Sequence, residues 1–384
     1  LGQGGTLLLD PKNITITDTP GAWAFSAIMG LGYNPEFDVS ALDDSDRFGS
    51  SVSLNAAGDR LAVGAPGDEG AGNATDSTGA AYLFSFTDTD FNGGTLESTI
   101  GKGYTGGKNV DVINLEGGSF LNRDNFGTSV SLNGSGDRLA VGADRDDGAS
   151  NAATDTGAAY LFSFTDTDFN GGTHESTIGS GYTGGKKVDV ANLEDSDFFG
   201  SSVSLNAAGD RLAVGAEDDD GAGNAAGFSG ATYLFSFTDS NFNGGTIEST
   251  IGIGYTGGKN VDVANLEGNE DFGGAVSLNA AGDRLAVGAR FDEGAGNAGT
   301  NIGVAYLFSF ADTDFNGGTL ESTIGKGYTG GKNINVQLDD DDRFGQSVSL
   351  NGAGDRLAVG AKFDDGAGNA AVDTGAATLF SFAD

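Results

Sequence analysis

The chain of 384 residues carries 55 acidic against 19 basic side chains, a formal charge of −36, with 68 glycines, one histidine and no cysteine. A surface this negative repels phosphate and anionic lipid, which excludes nucleic-acid binding and docking on anionic membranes; the missing cysteines exclude disulfide staples and thiolate or cysteine-zinc chemistry. No stretch approaches the ~20 apolar residues of a membrane helix, and no helical periodicity extends beyond a few residues, so the fold class read here is all-β.

Residues 1–21 differ from everything that follows. Leu1-Gly-Gln-Gly-Gly-Thr-Leu-Leu-Leu-Asp-Pro-Lys-Asn-Ile-Thr-Ile16 resembles the junction segment of filamentous-haemagglutinin-like exoproteins, which bacteria secrete through an outer-membrane partner. Without that resemblance the segment reads as an edge strand ahead of residues 22–384. The start at Leu1, with neither Met nor signal peptide, reads as a processed or excised piece. From Ala22 a degenerate half-unit begins: Ala27-Ile-Met-Gly-Leu-Gly-Tyr33 aligns with Thr99 to Tyr104, and Phe37-Asp-Val39 with Val110-Asp-Val112.

The full unit opens on Phe-Gly at Phe48, Phe126, Phe199, Phe272 and Phe344, at spacings of 78, 73, 73 and 72 residues, the fixed period of a repeat architecture. Phe126, Thr128, Val130 and Leu132 alternate with Gly127, Ser129 and Ser131, which predicts a strand. Asn133-Gly-Ser-Gly-Asp137 supplies a turn, and Arg138-Leu-Ala-Val-Gly-Ala143 a return strand whose small residues suit crowded backbones. Gly157 to Phe164 is a third strand, apolar on both faces and therefore stacked between neighbours. Ser176–Gly181 and Lys187–Leu193 read as outer strands around a Tyr182-Thr-Gly-Gly185 turn.

Phe-Gly-x-Ser-Val, then Leu-Ala-Val-Gly-Ala, then Gly-Ala-Ala-Tyr-Leu-Phe resembles the FG-GAP repeat, which builds the β-propeller of integrin α subunits and of many bacterial surface proteins. The resemblance implies five blades of four or five antiparallel strands. The N-terminal half-unit would pair with the last strand, Gly375 to Phe382, to close the ring; a cut from a longer array would instead allow six or seven blades. It also implies an extracellular or bacterial cell-surface location and an adhesive or scaffold role, without enzyme activity. The short Asn55 to Asp59 loop departs from the Asp-rich calcium loop of integrin blades and resembles the metal-free bacterial variant.

Calcium is the expected cofactor at a different place. Asp88-Thr-Asp-Phe-Asn-Gly93 sets oxygen ligands at alternate positions before a turn glycine, like the first half of an EF-hand loop. Its candidate ligands are Asp88, Asp90 and Asn92, with Asp166, Asp168 and Asn170, Asp239, Asn241 and Asn243, and Asp312, Asp314 and Asn316 in later repeats. The alternative is a hairpin whose Asx turns use the same groups. A second acidic loop follows each return strand and offers Asp68 and Asn73, Asp146 and Asn151, Asp219 and Asn224, Asp292 and Asn297, and Asp364 and Asn369. Bound calcium or a salty medium would relieve the self-repulsion of −36 charges.

His174 stands where sister repeats have Leu96, Ile247 and Leu320, a packing or surface position, and no serine has an evident base. A glycosidase carboxylate pair would break the repeat symmetry at the ring centre, and nearly every acid here is repeated. Arg60, Arg138, Arg211, Arg284 and Arg356 read as partners of the preceding Asp. Tyr104, Tyr182, Tyr255 and Tyr328 read either as sugar platforms of a lectin-like propeller or as buried packing with a bonded hydroxyl. The expected partners are a surface protein or glycan, or neighbouring subunits of a surface fibre.

Overall fold

A computed structural model of the protein describes residues 26–33, 37–73, 77–113, 123–366, 368 and 372–382; the junction segment at residues 1–21 and Asn369 lie outside these. Two short strands, β1 (Met29–Gly30) and β2 (Phe37–Asp38), come first. The first blade holds β3 (Ser51–Leu54), β4 (Arg60–Ala65), β5 (Ala80–Ser85), β6 (Thr95–Gly101) and β7 (Val110–Asp111). The second holds β8 (Phe126–Leu132), β9 (Arg138–Ala143), β10 (Ala158–Ser163), β11 (Thr173–Gly179) and β12 (Val188–Asp189). The third holds β13 (Phe199–Leu205), β14 (Arg211–Ala216), β15 (Ala231–Ser236), β16 (Thr246–Gly252) and β17 (Val261–Asp262). The fourth holds β18 (Phe272–Leu278), β19 (Arg284–Ala289), β20 (Val304–Ser309), β21 (Thr319–Gly325) and β22 (Ile334–Asn335). The fifth has three: β23 (Phe344–Leu350), β24 (Arg356–Ala361) and β25 (Ala376–Ser381).

The arrangement is a five-blade β-propeller, all-β among the described residues. Four strands per complete blade are antiparallel neighbours in chain order, while the fifth pairs in parallel with the fourth, where an antiparallel strand was expected. The loop from Ser180 to Lys187 turns the chain back on itself: Gly181 N–H donates to Asp189 Oδ1 at 2.8 Å and Ser176 Oγ–H to the Lys186 carbonyl at 2.7 Å, so Val188 arrives beside Ile178. The first hairpin is set by Asn133, whose Oδ1 accepts from the N–H groups of Gly136, Asp137 and Arg138 at 2.9, 3.1 and 3.1 Å. Asn55, Asn206 and Asn279 repeat that Asx turn.

Blades meet backbone to backbone. The Phe-Gly opening bulges, with Phe126 opposite Ala143 but Ser129 opposite Gly142. Gly127, at φ 94°, thereby thrusts its carbonyl onto Gly64 of the blade before, where an added Cβ would sit 1.9 Å from it. Gly142 meets the Gly200 carbonyl, Gly215 that of Gly273 and Gly288 that of Gly345 at the same 1.9 Å. Hydroxyls reinforce three of the joints: Ser51 donates to the Gly127 carbonyl at 3.0 Å, Ser129 to Gly200 and Ser202 to Gly273, both at 2.7 Å. A chain of backbone bonds also crosses the turns, from Ala56 N–H to Gly134 O, Gly134 to Ala207, Ala207 to Ala280 and Ala280 to Gly352.

Each joint is a separate core. Between the first and second blades, Ala62, Ala81, Leu83 and Ile100 close on Phe126, Val130, Leu132 and Leu139. Three further joints repeat this packing. The ends are left half-made: Val52 is 65 % exposed where Val130 is 7 %, and Leu379 is 78 % exposed where Leu161 is fully buried.

Among the described residues, the expected joint blade of N- and C-terminal strands is not formed. β1–β2 and β23–β25 are separate sheets, and β25 is an edge. The physical reason lies in what β1–β2 buries. Met29 and Phe37 pack on the first blade's Val63, Tyr82, Phe84 and Phe86, as Val110 packs on the second, so the pair sits as the outer end of a blade that would precede the first.

Substituting Gly142→Ala forces a methyl against the Gly200 carbonyl, which cannot yield without moving a blade, and is expected to cost about 3 kcal/mol or more. Gly360→Ala meets only the movable Ser347 hydroxyl of its own blade, at 2.5 Å. Chemical denaturation of the two variants should therefore separate them clearly, with Gly360→Ala near the parent.

Candidate metal centre

The two kinds of acidic loop lie at opposite ends of each blade, one at the β5–β6 hairpin and its counterparts, the other between β4 and β5. At the first, Asp88 Oδ1 accepts the N–H groups of Asp90 and Asn92 at 3.0 and 3.1 Å, and the Asn92 side-chain amide reaches both carboxylate oxygens. Asp166 does the same with Asp168 and Asn170, Asp239 with Asn241 and Asn243, and Asp312 with Asp314 and Asn316. The Asn amides, with the backbone N–H groups, hold all four carboxyls below their ordinary value. The third position accepts a cation from the preceding blade. Arg60 donates to Asp168 at 2.8 Å, Arg138 to Asn241 at 2.8 Å and Arg211 to Asp314 at 2.7 Å. Lys108, Lys186 and Lys259 donate to the carbonyls of the same three residues at 2.6 Å.

These hairpins are also anchored from below. Phe169, left-handed at φ 58°, is fully buried edge-on against Phe164 at 5.1 Å between ring centres. The arrangement is an Asx-closed clamp whose guest is the neighbouring blade's own guanidinium.

At the other end Asp68 is buried and accepts the Tyr82 hydroxyl at 2.5 Å, the Tyr104 hydroxyl at 3.0 Å and the Gly70 N–H at 2.7 Å. Asp146 holds Tyr160 and Tyr182, Asp219 holds Tyr233 and Tyr255, and Asp292 holds Tyr306. Asp364 accepts the Gly366 N–H at 2.8 Å. The tyrosine series is therefore engaged inside the blade by its hydroxyls. The Asn73 side-chain amide donates to Asp43, that of Asn224 to Glu194 and that of Asn297 to Glu267; Asn151 N–H bonds the Gly148 carbonyl.

Those contacts disclose residues that the sequence reading passed over: the acid two positions before every Phe-Gly, namely Asp46, Asp124, Asp197, Glu270 and Asp342, none more than 5 % exposed. Its recurrence in all five units was the available signal. Each is flanked by two left-handed non-glycine residues, φ 79° and 56° at Ser45 and Arg47, 68° and 52° at Ser196 and Phe198, and 66° and 55° at Asn269 and Asp271. Strain of this kind persists only where surrounding structure enforces it, and it concentrates at functional sites.

In the first blade the carboxylate oxygens of Asp43, Asp46 and Glu69 lie within 4.8 Å of one another. Asp46 Oδ1 is buried with no hydrogen-bond partner, and in the fourth blade so are Glu270 Oε2 and Glu293 Oε2. Burial, with the neighbouring Asp68 and Asp43 charges adding to it, pushes the Asp46 carboxyl up to about 6. Burial likewise pushes Asp197 up to about 8, beside Asp219, Asp220 and Glu194, and Glu270 up to about 9, beside Asp292, Glu293 and Glu267. Asp342 is raised in the same way, with Asp364, Asp339 and Asp365 around it. An all-oxygen donor set with uncompensated, desolvated charge suits a hard divalent cation such as calcium.

His174 occupies a packing position, its ring against Tyr160 and Phe162 and its Nε2 3.0 Å from the Thr177 hydroxyl; burial lowers its pKa to about 4.

Because these carboxyls titrate higher in the folded chain than in the unfolded one, the folded state binds more protons, so stability falls as pH rises from about 4 towards 9. Each such carboxyl adds a slope of up to about 1.4 kcal/mol per pH unit between its unfolded and folded values. Denaturation midpoints in chelator should decline across that window; a midpoint that rose from pH 5 to 8 would contradict the assignment.

Compared with known families, residues 40–84 and 121–162 match the model of the FG-GAP repeat. No curated protein matches the chain. The first matched segment contains Asp43, Asp46 and Glu69, and the second contains Asp124. The chain is a five-blade β-propeller, two segments of which match the FG-GAP repeat.

Proposed function

We propose that this protein is a non-catalytic scaffold of extracellular type, displayed on or secreted from a bacterial cell, whose blades are locked by calcium. The ions would be held at the carboxylate cluster before each Phe-Gly rather than at the β5–β6 hairpins. One observation carries the reading: Asp46 Oδ1 is orphaned and buried among Asp43 and Glu69, in a backbone conformation enforced in every repeat. Asp43, Asp46 and Glu69 would hold the ion in the first blade, with Glu194, Asp197 and Asp220 in the third and Glu267, Glu270 and Glu293 in the fourth. At the hairpins of the second, third and fourth blades, arginine and lysine already supply the positive charge.

The FG-GAP match and the acid excess support the extracellular setting, and no helix among the described residues is long and apolar enough to cross a membrane. Adhesion to a surface protein is favoured over glycan binding because the repeated tyrosines spend their hydroxyls on buried aspartates.

Calcium at fixed ionic strength is expected to raise the melting temperature well beyond what an equal ionic strength of sodium chloride achieves, by mass-action linkage to the folded state. Above pH 8, where Asp197 is ionised, Asp197→Asn gives the opposite sign in the two conditions: it should stabilise the protein in chelator, by removing a desolvated charge, and diminish the calcium-dependent gain. A melting temperature indifferent to calcium, or an Asp197→Asn variant that responds to calcium like the parent, would sink the proposal.

A further inference from the structure

The five carboxylate clusters are not built alike. Counting back from Phe-Gly, the fifth residue is acidic in four units, Asp43, Glu194, Glu267 and Asp339, but is Leu121 in the second. That acid belongs to the frame of the cluster. The N–H groups of Asp43, Glu194 and Asp339 donate to the buried carboxylates of Asp46, Asp197 and Asp342 at 2.8, 2.7 and 2.7 Å. The side chains of Asp43, Glu194 and Glu267 accept the amides of Asn73, Asn224 and Asn297 from the facing loop. The second unit brings two carboxyl groups, Asp124 and Asp147, where each of the others brings three.

It also brings two guanidinium groups that the other units lack at these places. Arg123 precedes the buried Asp124 at φ 80°, where the sister residues are Ser45, Ser196, Asn269 and Asp341. Arg145 follows the return strand where the others have Gly67, Asp218, Phe291 and Phe363. Arg145 is held from three sides. Its N–H donates to the Asp124 carbonyl at 3.3 Å, and its guanidinium lies 3.5 Å from Asp155 Oδ2 and 5.0 Å from the ring centre of Phe198 in the third blade. Asp155 N–H donates in turn to Asp147 Oδ1 at 2.9 Å, which ties the cation to the second acid of the cluster.

We propose that the second blade is held by its own Arg123 and Arg145 in place of calcium. The inference rests on the calcium reading above and narrows it to the other blades. Calcium affinity follows the number of charged oxygen ligands, and a cluster that has lost one carboxylate and gained two fixed cations attracts the ion least. A desolvated carboxylate still needs a counter-charge, and here the chain carries it. Because Arg145 reaches the Phe198 ring across the joint, the second and third blades stay tied at this end when calcium is withdrawn.

The test titrates calcium alone into the whole chain at fixed ionic strength and counts the bound ion by equilibrium dialysis. Asp197→Asn is expected to lose one equivalent relative to the parent, and Asp124→Asn none. Leu121→Glu, Arg123→Ser and Arg145→Asp together give the second unit the residues of the third, and this variant is expected to gain one equivalent. An Asp124→Asn variant that loses an equivalent overturns the proposal and leaves calcium at the other blades intact. So does a triple variant that melts cooperatively and gains none. A parent that binds no calcium overturns it together with the reading on which it rests.

Discussion

Everything in this molecule hangs on a glycine meeting a carbonyl. Where Gly142 of one blade faces the Gly200 carbonyl of the next, there is no room for a Cβ, and the same contact recurs at every internal joint. Close approach of two backbones brings the sheets near enough for Ala140, Ala159 and Leu161 to fill the space against Phe199 and Val203. The bulge at Phe-Gly aims that carbonyl, the glycine of Leu-Ala-Val-Gly-Ala receives it, and a serine hydroxyl ties it at three of the four joints. Both halves of the repeat motif thus serve one contact. A single blade can satisfy neither half, which is why the unit exists only as an array.

The acids divide into two classes with different physics. At the hairpin end the acidic loops are exposed and turned in on themselves, and in the second, third and fourth blades arginine and lysine from the blade before bind them, so they act as interblade clamps. At the other end, carboxylates are buried together: in each of the first four blades one is bound to a tyrosine hydroxyl, and in every blade another is held between two left-handed residues. Burying like charges together is unfavourable without a counter-ion or a proton. The raised pKa values of Asp46, Asp197 and Glu270 express that conflict, and a divalent cation resolves it in the way we propose.

Sequence by itself determined the repeat, its period, the three inner strands with their Asx turn, and the crowding at the small-residue strand, because these follow from local alternation and glycine placement. It also placed the arginines beside their aspartates and His174 in a packing position. Tertiary structure decided the rest. The acid two residues before Phe-Gly recurs in every unit, but its neighbours cannot be read in one dimension; only the fold carries Asp46 to Glu69 and buries it there. Asp166 and Asp239 open loops with the spacing of a calcium site, yet the third position of each, Asp168 or Asn241, is bound by an arginine more than 100 residues away. The clearest case is Phe48-Gly-Ser50: the same Phe-Gly motif that begins β8 lies outside β3, which starts only at Ser51. In a complete joint the bulge is seated against the blade before, the Gly127 carbonyl on Gly64, and a pattern that specifies a joint cannot supply its other side.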